Sequence, residues 1–341
     1  MRLRTILSLA AVLAVAACSG PGGSDAGGGD RNPLFVYVSP DPMGVNPFLV
    51  MGQTGLERAA AAAGADTLVL ESEDPISRDE NVRAAIDEGA ELVVVLGFEF
   101  GDILPRYARR HPGVDFLIVD QCIDEPPPNV RCAVFREYEG TFLIGAVAAA
   151  LTRTGHVGII AAVDIPFLHR YTDAFALGAR EVDPQIEVST LWVGGDNPFS
   201  DPVRAKEQAL AMIADGADHI FAAAAAGNFG IFEAVSERSA YAFGLDVDQC
   251  PAAPGHIAES FLKRVDVAIV EAIAAIRSDS PERIFEYGLA SGGIGLVSLS
   301  GEDLTGEDVA NSQCLIFEHP EVIDAMRELR QRIIDGEIRI E

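Results

Sequence analysis

From residue 34 to residue 245, short and almost wholly apolar runs alternate with longer stretches whose apolar positions recur at helical spacing. Residues 34–38, 67–70, 92–96 and 115–119 form the first set of runs. Strands that lack polar alternation are buried on both faces, as in a parallel sheet covered by helices. Helices are predicted between them at about 47–63, 80–88 and 103–110. The first has a start signal in Asn46-Pro47, an N-cap followed by a proline at the first helical position, and a stop in Gly64. A polar seam at 134–139 interrupts the rhythm, and the same order then begins again. Helices over 141–151, 166–179, 203–214 and 231–238 alternate with strands over 157–160, 186–193, 219–225 and 241–245. The alanine run 222–226 has helical propensity, but its place between Gly216 and Gly227 in the βα rhythm makes it a buried strand. Past Lys263, a helix over 265–276 and a short run at 294–297 are too small for a third domain and complete the lobes by crossing back.

Two βα halves of similar size make a two-lobed α/β protein. Its ligand would lie between the carboxyl ends of both sheets, in a cleft closed by hinge motion. The candidate chemistry falls at those ends. Asp246 terminates the last apolar run of the second half, where an unpartnered carboxylate is costly and is satisfied either by a ligand or by loop amides. Lys263 opens the next helical pattern, and it and Lys206 are the only lysines among 25 Lys plus Arg. A lysine in so arginine-rich a chain suggests a need for a compact point charge. Phe48 heads the first helix, and Phe98 and Asp102 lie in another strand-to-helix loop on the same edge. His169-Arg170 is a candidate polar lining, and Asn228 either caps a helix or reaches the ligand.

Composition narrows the function. At 341 residues and 49% hydrophobic content the chain supports a large core and two domains, and a net charge of -27 opposes nucleic-acid binding. Arg2 and Arg4 precede an apolar stretch at 6–14 and the sequence Val15-Ala16-Ala17-Cys18, which looks like a bacterial lipobox. That stretch is shorter than the ~20 residues of a membrane-spanning helix, so 1–17 reads as a cleaved signal. Lipidated Cys18 and a Gly/Ser-rich tether to residue 33 follow, with the membrane reached through the lipid anchor alone and the rest soluble outside the cytoplasmic membrane. Four further cysteines allow two disulfides. Cys122 and Cys132 flank a turn-rich loop, while Cys250 and Cys314 are paired by elimination, with buried free thiols as the alternative. There is no Cys-x-x-Cys or His cluster for zinc, no Gly-x-Ser-x-Gly elbow and no phosphate-cradling glycine loop, so neither a metal, a cofactor nor catalysis is expected.

Several motifs occur in family order: Arg136-Glu137-Tyr138-Glu139-Gly140-Thr141-Phe142-Leu143-Ile144-Gly145, Asp164-Ile165-Pro166, Phe199-Ser200-Asp201-Pro202, Gly216-Ala217-Asp218 and Leu262-Lys263-Arg264-Val265-Asp266. Together they resemble the basic membrane protein family, lipoprotein substrate-binding components of ABC importers similar to purine nucleoside receptors. The resemblance covers residue 34 to the C-terminus. It implies a type I periplasmic-binding-protein fold, two doubly wound Rossmann-like lobes with three hinge crossovers, acting as a monomer without catalysis and delivering to an ABC permease. The N-terminal lobe would comprise 34–137 and about 263–315, the C-terminal lobe 138–262 and about 316–341. By the same resemblance Phe48 stacks on a base, Asp41 and Asp120 contact the base, and Asp246 and Lys263 hold the ribose hydroxyls. The second stacking aromatic is one of Phe199, Phe221 and Phe229. Where the family has Ser-Phe-Asn, this chain has Pro47-Phe48-Leu49, so the family's amide contact is missing unless Asn46 replaces it. A sugar or polyol receptor, a signalling receptor of the same fold and a nucleoside-processing enzyme are the competing readings.

Overall fold

A computed structural model describes residues 32–300 and 312–340. The leader, Cys18 and most of the tether lie outside them. The first half runs β1 (Leu34–Ser39), α1 (Pro47–Ala63), β2 (Asp66–Glu71), α2 (Pro75–Asp87), β3 (Leu92–Leu96), α3 (Leu104–Arg110), β4 (Asp115–Val119) and β5 (Val130–Phe135). The second runs α4 (Glu137–Leu151), β6 (His156–Ala161), α5 (Pro166–Val182), β7 (Glu187–Trp192), α6 (Pro202–Ala214), β8 (His219–Ala223), α7 (Asn228–Arg238), β9 (Tyr241–Asp246) and β10 (Ile257–Lys263). The chain then adds α8 (Val265–Arg277), β11 (Ile284–Tyr287), β12 (Ile294–Leu296) and α9 (Pro320–Ile334).

The strands form two sheets ordered β2-β1-β3-β4-β5-β11 and β7-β6-β8-β9-β10-β12. Every pairing is parallel except β10 with β12. The apolar runs have the physical meaning expected of them. In the first sheet Val36, Val38, Val93, Val95, Phe116 and Ile118 bury one face, and Phe35, Tyr37, Val94, Leu96, Leu117 and Val119 bury the other. The Asn46 side chain accepts the Phe48 amide at 3.1 Å with Pro47 behind it, and Gly64 ends α1 in the left-handed conformation.

Three expectations are corrected. Helix α2 begins at Pro75, ahead of residue 80, because Asp74 and Ser77 form a reciprocal capping box. Strands β5 and β10 were hidden in a polar seam and a helix approach. Strand β10 reads Ile-Ala-Glu-Ser-Phe-Leu-Lys, and its buried Glu259, Ser260 and Lys263 break the apolar run that marks a strand, so Lys263 ends β10 and does not open a helix. Because β12 joins the second sheet, the chain has returned to that lobe by Ile294, well before residue 315.

Among the described residues the chain passes between the sheets three times: after β5, after β10 and after β11. These crossovers are bonded side by side, Arg136 N donating to Tyr287 O at 2.8 Å and Arg264 N to Gly293 O at 2.9 Å. Both disulfides form. Cys122–Cys132 closes the β4–β5 loop, and Cys250–Cys314 ties the loop after β9 to the segment that enters α9. No helix of the described residues is long and apolar enough to cross a membrane.

Candidate functional site

In both sheets the strand order reverses beside the first strand, and the loops at the carboxyl ends of the strands face a shared cleft. The first lobe lines it with Asp41 after β1, Asn46 and Phe48 at the head of α1, Phe98 and Glu99 after β3, and Asp120 after β4. The second lobe adds Phe167, Leu168 and Tyr171 from α5, Phe199 before α6, Ala223 and Ala225 around the end of β8, and Leu245, Asp246 and Lys263 at the ends of β9 and β10. The lobes enclose a cavity of about 70 Å³. Across it the Phe98 ring meets Phe167 at 5.9 Å and Phe199 at 6.2 Å between centroids.

Lys263 is the hub. It is 1% exposed, and Nζ donates to Asp120 Oδ1, to Glu137 Oε1 at 3.1 Å and to Tyr171 Oη at 3.2 Å. Rings of Phe135 and Phe48 lie 4.9 and 5.3 Å from Nζ, close enough for cation–π attraction. Burial works against its charge, but Asp120, Tyr171, Glu137 and Asp246 more than offset this and hold the ammonium well above the ordinary lysine range. The ion pair with Asp120 also joins β10 of one lobe to β4 of the other, beside the crossovers. Asp120 and Asp246 occupy equivalent strand ends, and both adopt the left-handed backbone, at φ 83° and 74°. Such a conformation is uncommon outside glycine and is kept where surrounding structure imposes it, often at functional sites.

Two acids in the cleft are pushed up to about 7. For Asp246 burial is the main cause, with Lys263 opposing and Asp120 and Glu137 reinforcing it. For Glu99 burial again dominates, opposed by its own amide and by Arg78, and reinforced by Asp41 and Asp120. In the second-lobe core Glu259 is raised to about 7 by burial, against hydrogen bonds from Ser298 and the Ser260 amide. A carboxyl raised on folding keeps a proton that the unfolded chain has released between about pH 4 and 7, so raising the pH through that window costs stability. Self-repulsion at a net charge of -27 acts in the same direction. The unliganded protein should therefore melt several degrees lower at pH 8 than at pH 5, with a shallower slope in Asp246→Asn. A midpoint that rises across this range would exclude these raised carboxyls.

Of the residues singled out in the sequence, Asp41, Asn46, Phe48, Phe98, Asp120, Phe199, Asp246 and Lys263 meet at the cleft. Asp41 is held by Arg78 Nη2 at 2.9 Å, and the side chain of Asn46 is engaged in its N-cap. Others do not line it. Arg170 lies over the outer face of the site, 5.3 Å from the Phe167 ring and 3.6 Å from Glu137 Oε2. His169 bonds Asp164 at 2.8 Å on the surface. Asn228 is buried beneath the cleft loops, accepting the Ala224 amide at 2.8 Å and donating to Gln249 Oε1 at 3.1 Å. Phe229 is 40% exposed and packs edge-on against Phe232, and Phe221 is core, stacked on Phe175. Asp102 is not among the lining residues.

Four residues of the site escaped sequence reasoning. Phe167 and Tyr171 follow the amphipathic period of α5 and look like core. Glu137 sits in the first turn of α4, where an acid reads as a helix-dipole partner. Glu99 was overshadowed by its aromatic neighbours. The one cluster of metal-type ligands among the described residues is Asp248, Cys250 and Cys314, and the disulfide consumes both sulfurs.

Comparisons with known proteins agree with this geometry. The family model described as PnrA-like ABC transporter substrate-binding protein matches residues 35–338. Basic membrane protein A2 of Borrelia garinii is 27% identical over 278 residues, covering 80% of this chain and 77% of its own length. An uncharacterized lipoprotein of Pyrococcus furiosus is 27% identical over 98% of this chain and 91% of its own. Among solved structures, an ABC transporter solute-binding protein of Aeropyrum pernix superposes with a TM-score of 0.78 at 26% identity, over 91% of this chain and 93% of that one. An arabinose-binding protein of Geobacillus stearothermophilus, at 15% identity and a TM-score of 0.62 over 83% of this chain and 99% of that one, shares the fold. With the two lobes, the crossovers and the family match in agreement, the chain belongs to the PnrA-like, or basic membrane protein, family of ABC transporter substrate-binding proteins.

Proposed function

We propose that this protein is a lipid-anchored extracytoplasmic receptor that captures a nucleoside between its lobes by hinge closure and delivers it, unaltered, to an ABC permease. The observation that carries this reading is the pairing, in one cleft, of aromatic faces with a charged hydrogen-bonding set. Phe48, Phe98, Phe167 and Phe199 offer flat apolar surface to a base, and Asp120, Asp246 and Lys263 offer the acceptors and the cation that bind vicinal hydroxyls. The lipid anchor is supported by Cys18 in its lipobox and by the name of the Pyrococcus furiosus relative.

A thermal-shift screen of nucleosides, bases, pentoses and polyols on the chain lacking residues 1–29 tests the ligand. Nucleosides should raise the midpoint with no product released, as expected for a ligand that binds only the folded state, and Asp246→Ala should abolish the shift. A shift by a pentose or polyol alone would replace the nucleoside with a sugar, and turnover of a bound nucleoside would make the protein an enzyme. Fatty-acid labelling that persists in Cys18→Ala would refute the anchor.

A further inference from the structure

The first-lobe wall of the cleft holds a carboxylate one of whose oxygens the described residues do not satisfy. Glu99 lies in the tight turn after β3, and its Oε2 is buried without a hydrogen-bond partner. The turn is built around that atom. Gly97 stands at φ 105°, and a Cβ there would come within 2.3 Å of Oε2, so any other residue would displace the carboxylate. Arg78, the cation that acts on Glu99, is engaged elsewhere, donating to Asp41 Oδ1 at 2.9 Å and to Pro40 O at 2.7 Å.

Glu99 feels Arg78, Asp41 and Asp120, whereas Asp246 feels Lys263, Asp120 and Glu137. Asp120 follows Val119, whose carbonyl accepts the Gly97 amide at 3.1 Å beside the Glu99 turn, and it bonds Lys263 on its other side, so it stands between two chemically distinct ends. The Lys263 end mixes a donor with acceptors and suits hydroxyls, which both give and take hydrogen bonds. The Glu99 end offers acceptors beside the aromatic Phe98, and an acceptor on the ligand there would leave buried oxygens facing each other unpaired.

We propose that Glu99 determines specificity by accepting a hydrogen bond from an N–H donor on the ligand, so that among nucleosides the cleft favours those whose base presents adjacent N–H donors along one edge, as guanine does. This rests on the nucleoside reading of the cleft. Guanosine and inosine differ only by the 2-amino group, so this pair isolates the contact.

Calorimetric titration of both nucleosides into the wild-type chain and into Glu99→Gln and Glu99→Ala tests it. Wild type should bind guanosine about 10- to 100-fold more tightly than inosine, the usual effect of removing one partner of a buried carboxylate. In Glu99→Ala guanosine should lose more affinity than inosine, bringing the two close to parity, and Glu99→Gln should fall between, since its amide oxygen still accepts but carries no charge. Unfolding midpoints of the unliganded variants should match or exceed the wild type, since an unpaired buried carboxylate has been removed. Equal binding of the two nucleosides by wild type, or a guanosine preference that survives in Glu99→Ala, would overturn the role of Glu99 while leaving the nucleoside receptor intact. Binding of neither nucleoside would strike the receptor reading itself, and this inference with it.

Discussion

Lys263→Met should lower the unfolding midpoint by roughly 10 °C, the consequence of leaving buried carboxylates without their cation at about 3–5 kcal/mol, and should all but eliminate ligand capture. Nζ is the only ammonium or guanidinium group within hydrogen-bond reach of Asp120 among the described ion pairs, and it also bonds Glu137 and Tyr171. Removing it leaves two acids facing each other in a site from which water is largely excluded. The double variant Lys263→Met, Asp120→Asn separates the two roles of the lysine. It should regain much of the lost midpoint, because one uncompensated charge is gone, yet still fail to bind. Lys263→Arg should not restore the site either, since a planar fork is longer than the compact ammonium around which Phe48, Phe135 and three hydrogen-bond partners are arranged. If Lys263→Met melted within about 2 °C of wild type, a shift below what the loss of a buried pair should produce, the hub assignment would fail.

The second large effect lies behind the site. Helices α4 and α5 touch backbone to backbone: a Cβ on Gly178 would meet Phe142 O at 1.8 Å, and one on Gly145 would meet Phe175 O at 2.0 Å. The obstructing atoms are main-chain carbonyls, so no side chain can swing aside and the helices themselves must part. Gly178→Ala should therefore cost more than about 3 kcal/mol, above the usual range for overpacking. Gly113→Ala, where an added Cβ meets nothing within 4 Å, should stay within about 0.5 kcal/mol as a surface substitution. Urea unfolding of both variants measures the contrast, and near-equal midpoints would show that the two helices can relax apart. Binding should suffer as well, because α4 carries Glu137 and α5 carries Phe167 and Tyr171 into the Lys263 cluster.

Much of the fold was legible because its signals are local. Apolar runs such as 92–96 need no partner to be recognised as doubly buried strands, and Asn46-Pro47 with Gly64 brackets a helix by backbone chemistry alone. The signal failed where function had written polar residues into a buried strand. Glu259, Ser260 and Lys263 disguise β10, the strand that delivers the hub. Likewise the second-lobe aromatic could not be chosen from sequence, since Phe199, Phe221 and Phe229 all lie near strand ends. Only packing sends Phe221 into the core and Phe229 to the surface, leaving Phe199 at the cleft, where its ring and that of Phe167 both meet Phe98.

By itself, then, the sequence determined two parallel βα lobes, the two caps of α1 and the strand-end position of Asp246, because periodicity, capping and the cost of a buried charge are properties of short segments, whereas Lys263 read as a helix start and Asp120 entered through the family resemblance. The tertiary structure decided which charges meet. Asp120 and Lys263 are separated by 143 residues and belong to different sheets, and they pair only because three crossovers bring the ends of β4 and β10 together. Glu99, by contrast, owes its buried and unpartnered Oε2 to packing within its own lobe, to the space Gly97 leaves and to an Arg78 that bonds Asp41 and Pro40.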